Sequence, residues 1–237
     1  MKEKKKNIFI RGKRRIERVL KRIFSKQDFE KLSKEFFDMK ASVYDKEELV
    51  PYSEDSCNAV YNELKKIKYN TLLDVGCGTG HLLSLLPKTK KTKYIGIDIS
   101  PKMIDEAKKK KIKNTKFEIG SAENLPFDNN SFDVVTCSES AHHYLNLDKS
   151  IKEAKRVLNE KGYYIIADKD VGNFTWHHNF YNRKFKNTGD CNFSNLRKTR
   201  RIMKNNDFEI IYSGKYYNDT HYIIVGRRKW KKIKSIY

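Results

Sequence analysis

No stretch of the 237 residues runs to about 18 consecutive apolar positions, the length a helix needs to cross a bilayer. The basic N-terminus is followed by no apolar core and no small-residue cleavage site, so a secretory signal is not expected. Apolar residues are few, at 38%, and the mean hydropathy is −0.80. The central strand-like runs are nevertheless intact, so the polarity sits in helices, loops and termini. The four cysteines, Cys57, Cys77, Cys137 and Cys191, are widely scattered. Without a C-x-x-C pair the usual mark of a zinc or dithiol centre is missing, and separate thiols suit a reducing cytoplasm. His177 and His178 are adjacent; on a helix they point apart, and no metal site is expected.

Positive charge is what the chain has in excess. The formal net charge is +21. Residues 1–35 hold fourteen Lys/Arg against five Asp/Glu, a net +9. Within them Ile16, Val19, Leu20, Ile23 and Phe24 recur at helical spacing, which predicts an amphipathic helix with a basic face. Such a helix could meet RNA or an anionic membrane, or could pack its apolar stripe on the rest of the protein. Lys far outnumbers Arg, so a merely lysine-rich surface explains the charge equally well. The length accommodates one substantial α/β domain and a small accessory segment. The boundaries read as a basic helical segment over 1–54, a main domain over 55–228 and a basic tail over 229–237.

The main domain is organised around Thr71–Gly80, TLLDVGCGTG. A buried strand runs into Gly76-Cys77-Gly78-Thr79-Gly80 and then into His81–Leu86, a run of helical composition that stops at Pro87. A strand, a glycine turn and a helix start form the first βα unit of a nucleotide-binding sheet. The glycine spacing is G-x-G-x-G, not the G-x-G-x-x-G of a dinucleotide site, and Asp74 stands two residues before the first glycine. A carboxylate there repels a pyrophosphate and suits a cation. The nucleoside ligand with a positive centre is S-adenosylmethionine (SAM).

Here the chain resembles the class I SAM-dependent methyltransferases, whose first motif is close to LDVGCGTG. A second strand, Lys93–Asp98, ends in a carboxylate about 20 residues past the glycine loop, where an acid accepts ribose hydroxyls. Ile99 follows, then Ser100 as an N-cap and Pro101 at the first helical position. GIDISPKMIDEAKKK is similar to the family's second motif. After the third strand comes Gly120-Ser121-Ala122-Glu123-Asn124-Leu125-Pro126-Phe127. The family often has an aspartate where this chain has Ser121, and that aspartate accepts the adenine amino group. The loop after the fourth strand, Ser138-Glu139-Ser140-Ala141-His142-His143-Tyr144, lies where ligands bind in doubly wound sheets. The resemblance to a type 11 methyltransferase domain covers about Leu72–Asp168.

The resemblance implies an α/β, Rossmann-like, doubly wound sheet of seven strands in order 3-2-1-4-5-7-6, the last strand antiparallel, flanked by helices. It implies SAM as cofactor, held by Asp74, Gly76, Cys77, Gly78, Thr79, Gly80, Asp98, Ile99, Ser121, Ala122, Glu123 and Ser138, with Tyr44 or Tyr52 closing over it. His142 and His143 are candidate bases, or walls of the pocket. No Asn/Asp-Pro-Pro-aromatic motif follows the fourth strand, which argues against amino methylation of DNA bases. The expected function is methylation of a small-molecule acceptor at O, N or C. Two alternatives are an RNA or ribosome-associated methyltransferase, and a SAM-binding partner subunit or membrane-associated scaffold without turnover. Residues 169–194, with Phe174, Trp176, His177, His178, Phe180 and Tyr181, read as a substrate-shaping insertion or as ordinary lid packing.

Overall fold

The computed structural model describes residues 26–46, 50–185 and 188–229. The predicted helix at 16–24 and most of the basic tail lie outside them. A first helix, α1 (Lys26–Lys40), ends near a short 3-10 turn at Tyr44–Lys46. Helix α2 (Val50–Leu64) then leads into β1 (Thr71–Val75), so one helix crosses the position read as a domain boundary. The order continues α3 (His81–Leu85), β2 (Lys93–Asp98), α4 (Pro101–Lys109), β3 (Thr115–Ile119), β4 (Phe132–Ser138) and α5 (Leu147–Val157). It closes with β5 (Leu158–Lys169), α6 (Thr175–Phe185), α7 (Leu196–Asn205), β6 (Phe208–Tyr216) and β7 (His221–Arg228). None of the described helices is long and apolar enough to cross a membrane.

The sheet order is β3-β2-β1-β4-β5-β7-β6, as expected. β1 pairs in parallel with β2 and β4, whereas β7 is antiparallel to both β5 and β6. The central strands are buried on both faces, and alternate residues serve opposite cores. Leu73, Val135, Ile166 and Ile224 face α5 and α7 through Ile151, Val157 and Met203. Leu72, Val134, Ile165 and Val225 face α2, α3 and α4 through Val60, Leu83 and Ile104. Burying each such side chain contributes about 1.5–3 kcal/mol. The two layers hold the sheet rigid, so the loops at its carboxyl edge have fixed footings.

Local signals worked as read at most junctions. Ser100 caps α4 by accepting from Met103 N–H at 3.1 Å, with Pro101 at the first position. The β6–β7 turn places Tyr217, Asn218 and Asp219 all at positive φ. β5 differs from expectation. By residue type Lys161-Gly162 reads as a turn from the helix into a strand at Tyr163–Ala167, but β5 already begins at Leu158. Leu158 pairs with Phe132 ahead of a register shift, and Lys161 sits at φ 63. The turn is therefore absorbed as a bulge. A Cβ at Gly162 would meet Asn159 O and Asp133 O at 3.0 Å, so this crowded backbone needs glycine.

Candidate functional site

The glycine turn is anchored first by backbone. Gly76 and Cys77 N–H both donate to Ile97 O, at 2.8 and 3.0 Å, which ties the end of β1 to β2. Gly76 and Gly78 have φ of +72 and +52, the left-handed region that glycine enters without strain. Their missing side chains serve different ends. A Cβ on Gly76 would lie 1.8 Å from Ser140 Oγ, so the turn packs directly on the loop after β4. A Cβ on Gly78 would meet nothing within 4 Å. It projects into an open cavity at the carboxyl edge of the sheet.

That cavity brings together most of the residues expected from sequence. Tyr44, Asp74, Gly76, Cys77, Gly78, Thr79, Asp98, Ile99, Ser121, Ala122, Glu123, Ser138 and His143 all line it. Gly80 and His142 stand behind its wall. Gly80, at φ 79, precedes α3 and packs where a Cβ would be 2.8 Å from Phe117. The side chain of Tyr52 lies outside the described ones.

Asp98 accepts Gly78 N–H through Oδ2 and Ser100 N–H through Oδ1, both at 2.9 Å. Burial pushes its carboxyl above the usual range even against these bonds. Asp74 accepts Thr136 Oγ1–H at 2.7 Å. Burial raises its pKa to about 7. Two desolvated carboxylates therefore face a cavity with no lysine or arginine among its lining residues. A cationic ligand would relieve both.

The roof was not foreseen in detail. Glu30, Ser33 and Phe37 of α1 join Tyr44 in lining the cavity. Three carboxylates from this segment each accept a hydroxyl from the loop after a different strand. Glu30 Oε1 takes Ser121 Oγ–H at 2.7 Å, Asp38 Oδ1 takes Ser100 Oγ–H at 2.6 Å, and Asp45 Oδ1 takes Thr79 Oγ1–H at 2.6 Å. Lys110 Nζ pairs with Asp45 Oδ2 at 2.7 Å. Burial opposes the Asp45 charge, but the bonds from Lys110 and Thr79 hold its carboxyl below the usual range. Residues 26–46 are thus a cap fastened across the ends of three strands. Its helical pattern was visible, but the partners of its acids lie 34 to 91 residues away.

The far wall belongs to the loop after β4. Tyr144 O–H donates to Val75 O at 3.2 Å and meets Ser140 Oγ at 2.8 Å. His142 is buried at 5% exposure. Its Nδ1 is 2.7 Å from Asp168 Oδ1, and its N–H donates to Asp168 Oδ2. Phe193 stacks on the ring at 4.9 Å. Burial disfavours the imidazolium, but the Asp168 charge outweighs it and raises the His142 pKa. His143 faces the cavity and meets Phe37 edge-on at 4.9 Å. Burial, aided by the neighbouring His142 charge, lowers its pKa to about 3. Donor atoms of His142, His143 and Asp190 lie within 4.8 Å of one another, as do those of Glu139, His142 and Asp168. In the second set the His142–Asp168 bond already occupies a ring nitrogen.

Glu139 is the residue that sequence reading passed over. It sits at φ 50, a strained position for a side-chain-bearing residue that the Glu139 N–H to Ala167 O bond of 2.9 Å helps to hold. Its carboxylate lines the cavity, accepts Ser56 Oγ–H at 2.7 Å, and lies 3.5 Å from His221 Nε2. Burial and the Asp168 charge raise its pKa to about 7. A strained backbone with a perturbed acid at a strand end is the kind of signal that marks function, and neither half of it is readable from residue types.

A protein-family model described as a methyltransferase domain matches residues 66–218. The chain belongs to the methyltransferase-domain family. The match bears out the expected kinship with the class I SAM-dependent methyltransferases of the type 11 kind. The methyltransferase YcgJ of Bacillus subtilis is 36% identical over 102 residues, 41% of this chain and 40% of that protein. The ubiquinone/menaquinone biosynthesis C-methyltransferase UbiE of Rickettsia bellii is 38% identical over 109 residues, 42% of this chain and 44% of that one. The chain thus spans about half the length, or less, of these curated relatives. Among solved structures, a Haloferax volcanii methyltransferase in complex with the Trm112 activator superposes with a TM-score of 0.68 at 18% identity, covering 82% of this chain and 98% of that one. The YcgJ structure gives 0.63 at 20%, covering 75% and 100%. These methyltransferase structures share the sheet and its flanking helices, which is a likeness of fold.

Proposed function

We propose that the protein binds SAM in this cavity and methylates a small-molecule acceptor at O, N or C. The observation that carries the reading is the pairing of Asp74 and Asp98 around the open space above Gly78. The residues fit the ligand. Asp98 would accept ribose hydroxyls. Asp74, whose carboxyl burial leaves half-neutral near pH 7, would regain its charge opposite an ammonium or sulfonium. The Gly78 surface would let the ligand approach bare backbone. When bound, SAM supplies an electrophilic methyl group with a good leaving group already attached.

The chain's own work is then to position the acceptor and exclude water, and positioning can supply on the order of 7–11 kcal/mol. The cap does the excluding, with Phe37 and Tyr44 over the cavity. The acceptor would enter beside Glu139, His143 and Tyr144. An acceptor that must lose a proton would give it to Glu139, because an acid near pKa 7 suits that task. A histidine held near 3 does not, so His143 serves as wall, and His142 braces the loop through Asp168.

The roofed cavity favours a small acceptor over an RNA base, since Glu30, Ser33, Phe37 and Tyr44 of the cap line it. The four buried, unpaired cysteines accord with a reducing cytoplasm. S-adenosylhomocysteine release with a metabolite extract, set beside an RNA extract, tests the reading. Turnover with RNA alone would replace the acceptor class, and SAM binding without turnover on either would leave a partner subunit.

A further inference from the structure

Ser121 stands where the motif reading expects an acid, and its hydroxyl cannot stand in for one. Its proton goes to Glu30 Oε1 at 2.7 Å, and its oxygen accepts Glu123 N–H at 3.3 Å. The carboxylate at this end of the cavity is Glu30 itself, delivered from α1. Asp98 sits at the end of β2, and the cavity continues from it towards the end of β3, where Gly120, Ala122, Ile99 and Met103 supply small and apolar walls. A flat base attached to a ribose held at Asp98 fits that slot. Its polar edge then meets Glu30 and the Ala122 backbone.

We infer that Glu30 of the cap is the acceptor for the exocyclic amino group of the bound nucleoside, supplied from outside the sheet in place of an acid on β3. The inference rests on the SAM-site reading above. A carboxylate accepts and never donates when ionised, so it selects an amino-bearing base over one with a carbonyl at the same place. Among the described residues Glu30 Oε1 is held by Ser121, and Oε2 has no partner there. Ser121 is then a post that fixes the carboxylate over the cavity. Because the acid rides on the cap, base recognition and cap closure become one event.

Calorimetry with S-adenosylhomocysteine and with its deaminated counterpart, S-inosylhomocysteine, tests this on the full chain. The wild type is expected to prefer the adenosyl ligand about tenfold or more, the scale of one charge-assisted hydrogen bond. Glu30→Gln is expected to erase that preference, because its amide can also donate to the carbonyl. Glu30→Ala with Ser121→Asp is expected to restore it from the β3 side. Asp38→Ala, which loosens the cap at Ser100 but leaves the Glu30–Ser121 bond, is expected to weaken both ligands and to lower the preference less than Glu30→Gln does. A Glu30→Gln protein that keeps the wild-type preference would overturn the inference, as would an Asp38→Ala protein that loses the preference to the same degree. Failure of the wild type to bind S-adenosylhomocysteine at all would instead remove the SAM reading.

Discussion

Thr79 Oγ1 donates to Asp45 at 2.6 Å while accepting from Lys110 Nζ at 3.1 Å. One hydroxyl of the glycine loop is therefore the meeting point of the cap, α4's C-terminal lysine and the cavity floor. That junction and its two counterparts at Ser100 and Ser121 fasten the cap over the cavity. Thr79→Val keeps the β-branched shape and removes the hydroxyl, leaving the Lys110–Asp45 pair. It is expected to raise the Kd for S-adenosylhomocysteine by about three- to tenfold, the value of one to two net hydrogen bonds. Limited proteolysis should cut sooner within 40–46, and unchanged cleavage there would show that the cap is held without it.

Asp98→Ala removes the acceptor of two backbone N–H groups as well as the proposed ribose contact. Affinity for S-adenosylhomocysteine is expected to fall by roughly ten- to a hundredfold, as for loss of a charge-assisted bond worth about 1.5–3 kcal/mol. The far-ultraviolet dichroism should stay native. Unaltered calorimetric affinity rules out Asp98 as the ribose anchor.

Asp74 links stability to pH. Its pKa rises on folding from 3.8 to about 7, so the folded state binds its proton more tightly. The stability from that proton is fully present below pH 3.8 and is lost as pH rises through about 7. Asp74→Asn keeps the neutral shape and the bond from Thr136. At pH 8 it is expected to stabilise the ligand-free protein by on the order of 2–4 kcal/mol, while abolishing measurable cofactor binding. A melting temperature at pH 8 no higher than wild type contradicts this. Glu139 contributes a slope of the same sign between pH 4.5 and about 7.

Glu139 and His143 separate by kinetics, once an acceptor is in hand. Glu139→Gln is expected to lower kcat by about 10²–10⁴-fold for an acceptor that loses a proton, and to flatten the acidic limb near pH 7. His143→Asn is expected to keep measurable turnover with that limb in place. The opposite pattern would make the histidine the base.

His142→Asn strands Asp168 as a buried charge. Removing one member of a buried pair costs about 3–5 kcal/mol, so a clear drop in melting temperature is expected ahead of any change in S-adenosylhomocysteine affinity. Asp168→Asn in the same background relieves the unpaired charge and is expected to recover part of that loss.

What could be read from sequence was local. Asp74 and Asp98 lie beside the glycine loop and at a strand end, so type and spacing alone placed them. The sheet order came with the family resemblance, and the N-terminal cap of α4 followed from Ser100-Pro101. What escaped depended on distant partners. Glu30, Asp38 and Asp45 are ordinary acids on a polar segment until Ser121, Ser100 and Thr79 come beneath them. Asp168 orients His142 across 26 residues, and no spacing announces it. Glu139 was named only as a loop residue, because burial and the nearby Asp168 charge, which set its pKa, arise when β4 and β5 come together.

The contact between Gly76 and Ser140 has a practical corollary. No side chain larger than hydrogen fits at position 76 while Ser140 stays in place, and Tyr144 is bonded both to Ser140 and to Val75 at the end of β1. The glycine-loop floor and the wall formed by the loop after β4 are therefore one rigid piece. Anyone reshaping this pocket for a new acceptor has freedom on the cap side, at Phe37 and Tyr44, and next to none at Ser140. Diversity introduced at that serine would be spent on the cofactor site rather than on specificity.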